Sequence, residues 1–316
     1  QAVACKVFHD DDWHEPYIRE VESYHMLNSA LNKTSHAQTS AKSSSAKMSS
    51  PSSRMRQLMS SYLDYSGEKH HPNIVRFHGA SLSQPMFLVE LLPGGSLDKH
   101  LDALKSKSLK PPLQSIYCWT RGVLSGLQHL HEEIGIIHRD IKPANVLLSE
   151  DLRVAKLADF SIAQPNPTFI FNPRSTESVS KPLALKGDEK GVVGTPRYMP
   201  NEMITGGSYS EKVDVYGAAV TFWSIITAEV PFDNIQTVEH LVQIVHVQGL
   251  RPALQPVVNS CPEFVPVLTS GWAHKPEDRL SAKQLLLVLE DAWAKIKRQR
   301  GKRVGRGCSA GKCCIM

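Results

Sequence analysis

The sequence predicts an α+β protein of two unequal lobes, in which a small strand-rich part precedes a larger helical part. Short apolar runs typical of strands occur at residues 1–8, 75–79 and 86–91. Apolar residues at helical spacing then dominate, at residues 114–131, 211–227, 236–247 and 281–297. With 316 residues, 41% of them hydrophobic, the chain is long enough to bury a sizeable core.

The first helix is expected at residues 17–27, and the composition changes directly after it. Residues 29–66 are rich in serine, alanine and lysine and lack the apolar content needed for a core, which predicts a disordered insertion. A tolerated surface loop and a phosphorylated regulatory loop are both compatible with this composition.

Cysteine usage and hydropathy exclude several classes of protein. The chain has six cysteines without metal-type spacing, which favours a reducing, cytoplasmic compartment. No run approaches the roughly 20 apolar residues that a membrane-spanning helix needs. The net charge of +5 belongs to the tail, since only basic charged residues follow Asp291, so it says little about the active site. No nucleic-acid partner is expected.

The segment from His138 to Asn145 carries residue types suited to phosphoryl transfer. That reaction needs an acceptor hydroxyl held in line and cations that neutralise the spreading charge. Asp140 can accept the hydroxyl proton, Lys142 can reach a phosphate oxygen, and Asn145 offers a neutral oxygen to Mg²⁺. The spacing resembles the catalytic loop of eukaryotic protein kinases, which implies a two-lobed kinase fold that uses ATP and Mg²⁺.

The resemblance extends to both sides of this loop. Residues 2–6 resemble the small-lobe strand whose lysine, here Lys6, pairs with the α- and β-phosphates of ATP. Glu20 matches the helix-borne carboxylate that holds this lysine. Glu22 is the alternative, but it lies about 200° further round the helix, so only one of the two can face the strand.

The hinge and the second metal ligand follow from the same resemblance. Val89 matches the residue at the back of the adenine pocket, and the backbone from Glu90 to Leu92 resembles the hinge that bonds adenine. Asp159 matches the main Mg²⁺ ligand, and Phe160 is expected to pack beneath the helix that carries the carboxylate.

Ser161 occupies the place of a glycine in that motif. Because glycine tolerates positive φ and serine does not, the change is expected to restrict flipping of the segment. The motif from Asp159 to Ser161 begins the region 159–202, which resembles an activation segment. Thr195 matches the threonine that bonds the catalytic aspartate and lysine, and Arg139 is expected to pair with a phosphate on the segment.

Three further residues match structural positions of the family. Glu202 is expected to form an ion pair with Arg279, and Asp214 to bond the catalytic-loop backbone from the central large-lobe helix. Lys142 followed by proline, together with Thr195, resembles serine/threonine kinases. Residues 90–97 and 214–223 resemble the tyrosine-kinase-like group of these kinases.

The resemblance therefore implies a protein serine/threonine kinase that acts on protein substrates, with a kinase domain over residues 1–294. A scaffold without phosphotransfer is the alternative, because no glycine-rich loop precedes Lys6. Since the chain opens with Gln1 inside a strand-like run, we expect it to be a fragment that lacks this loop.

The tail at residues 295–316 ends in a prenylation-like box, in which Cys313 is the lipid acceptor and Cys308 a candidate for palmitate. One isoprenoid binds membranes weakly, and the basic residues before the box supply a second signal. The expected location is the inner face of a membrane. A flexible basic tail with incidental cysteines, or a nucleic-acid or nuclear-import patch, is the alternative.

Overall fold

The computed structural model describes residues 3–7, 14–32, 70–81, 86–166, 195–205 and 209–307. The described strands are β1 (Val3–Val7), β2 (Phe77–Ala80), β3 (Met86–Glu90), β4 (Gly95–Ser96), β5 (Ile136–Ile137), β6 (Val146–Leu148), β7 (Ala155–Leu157) and β8 (Gln164–Pro165). The described helices are α1 (His14–Asn32), α2 (Leu97–Ser106), α3 (Leu113–His129), α4 (Asn201–Ile204), α5 (Lys212–Thr227), α6 (Val238–Leu241), α7 (Gln255–Ser260), α8 (Val265–Gly271) and α9 (Ala282–Gly307).

The described part of the small lobe contains one antiparallel sheet and one helix. The strand order is β1-β3-β2, and the register places Lys6 opposite Phe87 and Ala4 opposite Val89. Helix α1 packs on this sheet through buried side chains, among them Val21 and Tyr24. The ring of Tyr24 contacts the ring of Phe87 on β3 at a centroid distance of 5.7 Å, so aromatic packing fixes the helix on the sheet.

The large lobe is built around α5. Every residue of this helix after Lys212 is buried, as expected of a helix that is apolar on all sides. Helices α3 and α8 pack against it, and α9 packs against α3. The α+β fold with a small strand-rich lobe and a larger helical lobe is therefore confirmed.

One predicted boundary is wrong, and a helix crosses another. Helix α1 continues to Asn32, so the first four residues of the predicted insertion 29–66 are helical, since alanine and leucine at positions 30 and 31 favour helix. Helix α9 continues to Gly307 and so crosses residue 294, where the tail is predicted to follow the domain, and Ile296 is still buried in the core. The rest of the insertion, residues 33–66, lies outside the described residues.

Candidate active site

The catalytic loop lies between β5 and β6, where Asp214 of α5 fixes its backbone. The two carboxylate oxygens of Asp214 accept hydrogen bonds from the backbone nitrogens of His138, at 2.8 Å, and Arg139, at 2.7 Å. Arg139 has a φ of +71°, a costly conformation for a residue with a side chain. The Asp214 bonds therefore hold the loop in a shape that it would not otherwise adopt.

Asp214 stays charged although it is fully buried. Burial alone would raise its pKa, but the side chain of His131 donates to the carboxylate at 2.8 Å and lowers it below the ordinary value. The loop also approaches α5 closely. A Cβ added at Gly217 of this helix would lie only 3.0 Å from the carbonyl oxygen of Ile141 in the loop. The glycine thus admits the catalytic loop to the surface of the helix.

The side chains of Asp140, Lys142, Asn145 and Thr195 form one bonded group. Lys142 Nζ lies 2.6 Å from Asp140 Oδ2 and donates to Thr195 Oγ1, also at 2.6 Å. Thr195 Oγ1 in turn donates to Asp140 Oδ1 at 3.1 Å. Asn145 Nδ2 donates to Asp140 Oδ2 at 2.8 Å. The Asp140 carboxylate is therefore oriented by three neighbours. Asn145 uses its amide nitrogen for this bond, so its amide oxygen remains available for another ligand.

Asp159 is connected to this group through the backbone. The nitrogen of Ala158 donates to the carbonyl of Asn145 at 2.9 Å, and the His138 ring donates to the carbonyl of Ala158 at 3.0 Å. Asp159 has a φ of +63°. Phe160 is fully buried and lies 5.1 Å from the ring of Tyr24, beneath α1 as the sequence predicted.

Lys6 faces Asp159 from the small lobe. Its Nζ lies 2.8 Å from Glu20 Oε2 and 3.1 Å from Asp159 Oδ1. Burial opposes the charge on Lys6, yet the two carboxylates outweigh it and raise the lysine pKa. Burial raises the pKa of Glu20 to about 7 against the opposing effect of Lys6. The structure places Glu20, and not Glu22, on this lysine.

Asp159 differs from Glu20 in the sign of its shift. Burial acts to raise the pKa of Asp159, but Lys6 and a hydrogen bond from the Ser161 side chain more than compensate, so the pKa lies below its ordinary value. Its side chain remains 38% exposed. The structure thus provides an ionised, accessible carboxylate beside the lysine.

These arrangements coincide with a family match. Residues 23–289 match the protein kinase domain family. The chain belongs to that family. The match begins after Lys6 and Glu20, so their place in the kinase site rests on the contacts described above.

The relatives of this kinase domain support the same assignment. It is 33% identical to a probable serine/threonine-protein kinase of Dictyostelium discoideum over 70% of the chain, and it covers 22% of that protein. Identity is 30% to mitogen-activated protein kinase kinase kinase 12 of Rattus norvegicus, over 77% of the chain and 25% of the relative. It is also 30% to mitogen-activated protein kinase kinase kinase 7 of Drosophila melanogaster, over 70% and 30%. The chain spans less than a third of each of these relatives.

The segment predicted to be the hinge lies at the end of β3. Val89 is opposite Ala4 on β1, and the backbone nitrogen of Glu90 donates to the carbonyl of Arg76 at 2.8 Å. The carboxylate of Glu90 binds Lys156 Nζ at 2.6 and 2.7 Å and so connects the hinge to β7. Leu92 follows, buried, and its carbonyl accepts from the Gly95 nitrogen at 3.0 Å.

Arg139 makes contacts that the sequence did not predict. Its Nε donates to the carbonyl of Ile162, and its Nη1 donates to the hydroxyl of Tyr209 at 2.9 Å. The phosphate expected on the activation segment is not tested, because residues 167–194 lie outside the described part of the chain. In this conformation Arg139 connects the catalytic loop to the segment that follows Asp159.

Glu202 and Arg279 form the predicted contact in the large lobe. Arg279 Nη1 lies 2.5 Å from Glu202 Oε1, and Nη2 lies 3.1 Å from Oε2, so the pair is bidentate. The arginine side chain has no exposed surface. The pair connects α4, at the end of the activation segment, to the turn before α9.

Three residues of the site were missed in the sequence. His131 supports Asp214, Lys156 holds Glu90, and Tyr24 covers Phe160. His131 lies in a π-helical turn, Leu130–Ile134, at the end of α3. Such a turn shifts the helical register and has no clear sequence signal. Tyr24 could have been found, since it is four residues after Glu20 and therefore on the same face of α1.

Proposed function

We propose that this chain is the catalytic part of a protein serine/threonine kinase that transfers the γ-phosphate of ATP to serine or threonine hydroxyls of proteins. The observation that carries this proposal is the bonded group around Asp140, in which Lys142, Asn145 and Thr195 all contact one carboxylate. The relatives named as serine/threonine kinases support it.

The chemistry asked of the chain is mainly positioning. Asp140 has one oxygen bonded to Thr195 and the other to Lys142 and Asn145, so it is fixed as the group that orients the acceptor hydroxyl and accepts its proton. Lys142 is placed beside it to bind the transferred phosphoryl group. Two features favour serine and threonine acceptors, as in the kinases that the sequence resembles. One is Thr195, which lies between Asp140 and Lys142, and the other is Pro143, which follows Lys142.

The nucleotide is proposed to bind on the small-lobe side, against Lys6, Val89 and the backbone from Glu90 to Leu92. Lys6 is already held by Glu20 and Asp159, so its ammonium is oriented for phosphate before ATP arrives.

Asn145 and Asp159 fit a magnesium ion. The Asn145 nitrogen is committed to Asp140, which directs its amide oxygen elsewhere, and the Asp159 carboxylate is ionised and partly exposed. Both are oxygen donors of the kind that Mg²⁺ prefers. When bound, the ion supplies charge neutralisation for the phosphates, and the two side chains would hold it.

The test is an ATP phosphotransfer assay on the natural full-length protein and its Asp140→Asn variant. We expect the variant to lose about 10²–10⁴-fold in rate while it remains folded, because general base catalysis contributes that much. Asp291→Asn, an exposed carboxylate on α9, is the matched control and should be fully active. An equally active Asp140→Asn variant would reject the role of Asp140, and an inactive natural protein would favour the scaffold.

We also propose that the protein is attached to a membrane through lipid on Cys313, with palmitate on Cys308 as a second anchor. Both cysteines lie outside the described residues. Support comes from the terminal box and from the basic residues that α9 carries ahead of it, at Lys295, Lys297, Arg298 and Arg300. Among the helices described here, none is long and apolar enough to cross a bilayer.

Fractionation of cells that express the natural protein tests the anchor. Cys313→Ser should move the protein from the membrane pellet to the supernatant, whereas Cys118→Ser, on α3, should leave it in place. If the unsubstituted protein is already in the supernatant, the lipid proposal fails.

A further inference from the structure

Arg197 lies in the large lobe and donates to several backbone carbonyls. The proposed chemistry assigns it no role. It lies in the short turn Pro196–Tyr198, two residues after Thr195. Its Nη1 donates to the carbonyl oxygens of Pro231, at 3.1 Å, and Phe232. Its Nη2 donates to the carbonyl of Ile235 at 2.7 Å.

All three acceptors belong to the loop between α5 and α6, and this loop holds a costly backbone conformation. Phe232 has a φ of +56°, which is unfavourable for a residue with a side chain. Its carbonyl also accepts from the nitrogen of Ile235 at 2.9 Å, closing a turn. Arg197 therefore binds the inner side of a turn whose carbonyls converge on one guanidinium group.

The other end of the Arg197 segment lies in the catalytic group. Thr195 bonds both Asp140 and Lys142, and only Pro196 separates it from Arg197. Because proline fixes φ, the arginine and the threonine are joined by a stiff connection. Tyr198, on the other side of Arg197, is partly buried against the large-lobe core, with its hydroxyl 3.5 Å from Ser224 Oγ.

Arg197 itself makes its described contacts with backbone carbonyls and not with Asp140 or Lys142. Its effect on the reaction must therefore pass through Thr195. Lysine is a poor replacement, since an ammonium group lacks the planar fork that lets one side chain donate to carbonyls on neighbouring residues.

We propose that Arg197 is a positioning residue for the acceptor side of the reaction: by anchoring the Thr195 segment to the loop at Pro231–Ile235, it fixes the threonine on Asp140 and aligns the protein substrate. The inference rests on the proposed kinase function and deepens it. It predicts an effect on the protein substrate and not on the nucleotide, because Lys6 and Asp159 lie on other elements.

The experiment is steady-state kinetics of the natural full-length protein with a generic serine/threonine protein substrate, varying the protein and ATP separately. Arg197→Met should lower kcat/KM for the protein substrate by about 10–100-fold, the loss expected from a displacement of about 1 Å. The KM for ATP should change by less than about twofold, since the nucleotide residues are untouched. Arg197→Lys should give an intermediate value. Arg153→Met, whose side chain is 84% exposed, is the matched control.

A double variant separates positioning from general damage. In a Thr195→Ala background, Arg197→Met should cost less than about twofold more, because two residues that act as a unit are not additive. Full additivity, or a parallel loss in KM for ATP, would overturn the inference. So would an unchanged kcat/KM in Arg197→Met when the natural protein is active. A natural protein without any transfer would overturn the proposed function itself.

Discussion

Two ion pairs, one in each lobe, have similar lengths and opposite surroundings. Lys6–Glu20 in the small lobe is 2.8 Å long and Arg279–Glu202 in the large lobe is 2.5 Å. Lys6 is 39% exposed, whereas the Arg279 side chain is fully enclosed, donates to three backbone carbonyls as well, and lies 5.1 Å above the Tyr216 ring. The first pair is open to a ligand and the second belongs to the core, which separates residues for chemistry from residues for stability.

The two lobes also differ in the pKa of a buried carboxylate. Glu20 and Asp214 are both about 1% exposed, yet the pKa of Glu20 is raised to about 7 and that of Asp214 is lowered. Burial raises both. Asp214 receives three strong donors, from His131 and two backbone nitrogens, and these outweigh burial. Depth alone therefore does not decide the charge of a buried acid; its hydrogen-bond donors do.

The largest effect is expected from Arg279→Met. The substitution leaves the Glu202 carboxylate without its partner inside the large lobe, and breaking a buried pair from one side costs about 3–5 kcal/mol. The free energy of unfolding, measured with urea, should fall by that amount. Arg153→Met, at an exposed site, should leave it unchanged. A loss below 1 kcal/mol would show that the large-lobe pair is no more structural than the small-lobe pair.

The sequence was sufficient for the parts of this contrast that depend on residue type and spacing. Helix geometry allowed only one of Glu20 and Glu22 to face the strand, and the resemblance to the kinase pattern favoured Glu20. Asp140, Lys142 and Asn145 could be grouped because they occupy one short loop. Elements with a continuous apolar pattern, such as α5, were predicted within a residue or two.

The sequence was insufficient where a contact depends on the meeting of distant elements. The pairing of Glu90 with Lys156 requires the positions of β3 and β7, which no local pattern contains. The end of α1 was misplaced, because the polar residues there lack a stop signal and the helix continues for a further turn.

The junction between the lobes should respond to pH. The His71 ring stacks on the His129 ring at 4.7 Å, accepts from the Asn73 nitrogen at 3.2 Å and lies near Lys156. Burial, assisted by the electrostatic effect of His129 and Lys156, lowers the pKa of His71 to about 4 from an ordinary value of 6.5. Its unfolded form therefore binds protons more readily, and the stability present above pH 6.5 is lost as the pH falls toward 4.

The size of this loss should be about 1–2 kcal/mol between pH 7 and pH 5, from the linkage of proton binding to unfolding. Urea unfolding at several pH values measures it. His71→Phe keeps a ring in the stack but removes the titrating group, so its pH slope should be shallower than that of the unsubstituted protein. His240→Phe, at an exposed position of α6, should keep the original slope. Identical slopes for both variants would exclude His71 as the source.

Lys6→Met should have a smaller effect on stability and a larger one on activity. The pair is partly exposed, and such pairs contribute about 0–1 kcal/mol. The remaining Glu20, with its pKa already raised to about 7, can take up a proton and avoid an isolated buried charge. We expect phosphotransfer to be lost and the free energy of unfolding to stay almost unchanged. Lys105→Met, whose side chain is also 39% exposed, is the matched control. A loss as large as that of Arg279→Met would remove the difference between the lobes.

The smallest effect concerns Ser161, where the sequence led us to expect a restriction because family members carry glycine. In the structure the left-handed residue of this motif is Asp159, with a φ of +63°, and Ser161 does not have positive φ. Its nitrogen donates to Asp159 Oδ1 at 3.4 Å, a bond that glycine would also make, although glycine would lose the bond from the serine side chain. Ser161→Gly should therefore lower the free energy of unfolding by about 0.4–1 kcal/mol, through the greater freedom of the unfolded chain, and leave the rate of phosphotransfer unchanged. Ser161→Ala, which keeps the Cβ, should not show this loss of stability. A gain in stability or rate on Ser161→Gly would mean that serine strains the backbone of this motif. The positive φ of Asp159 would then be accompanied by strain at Ser161.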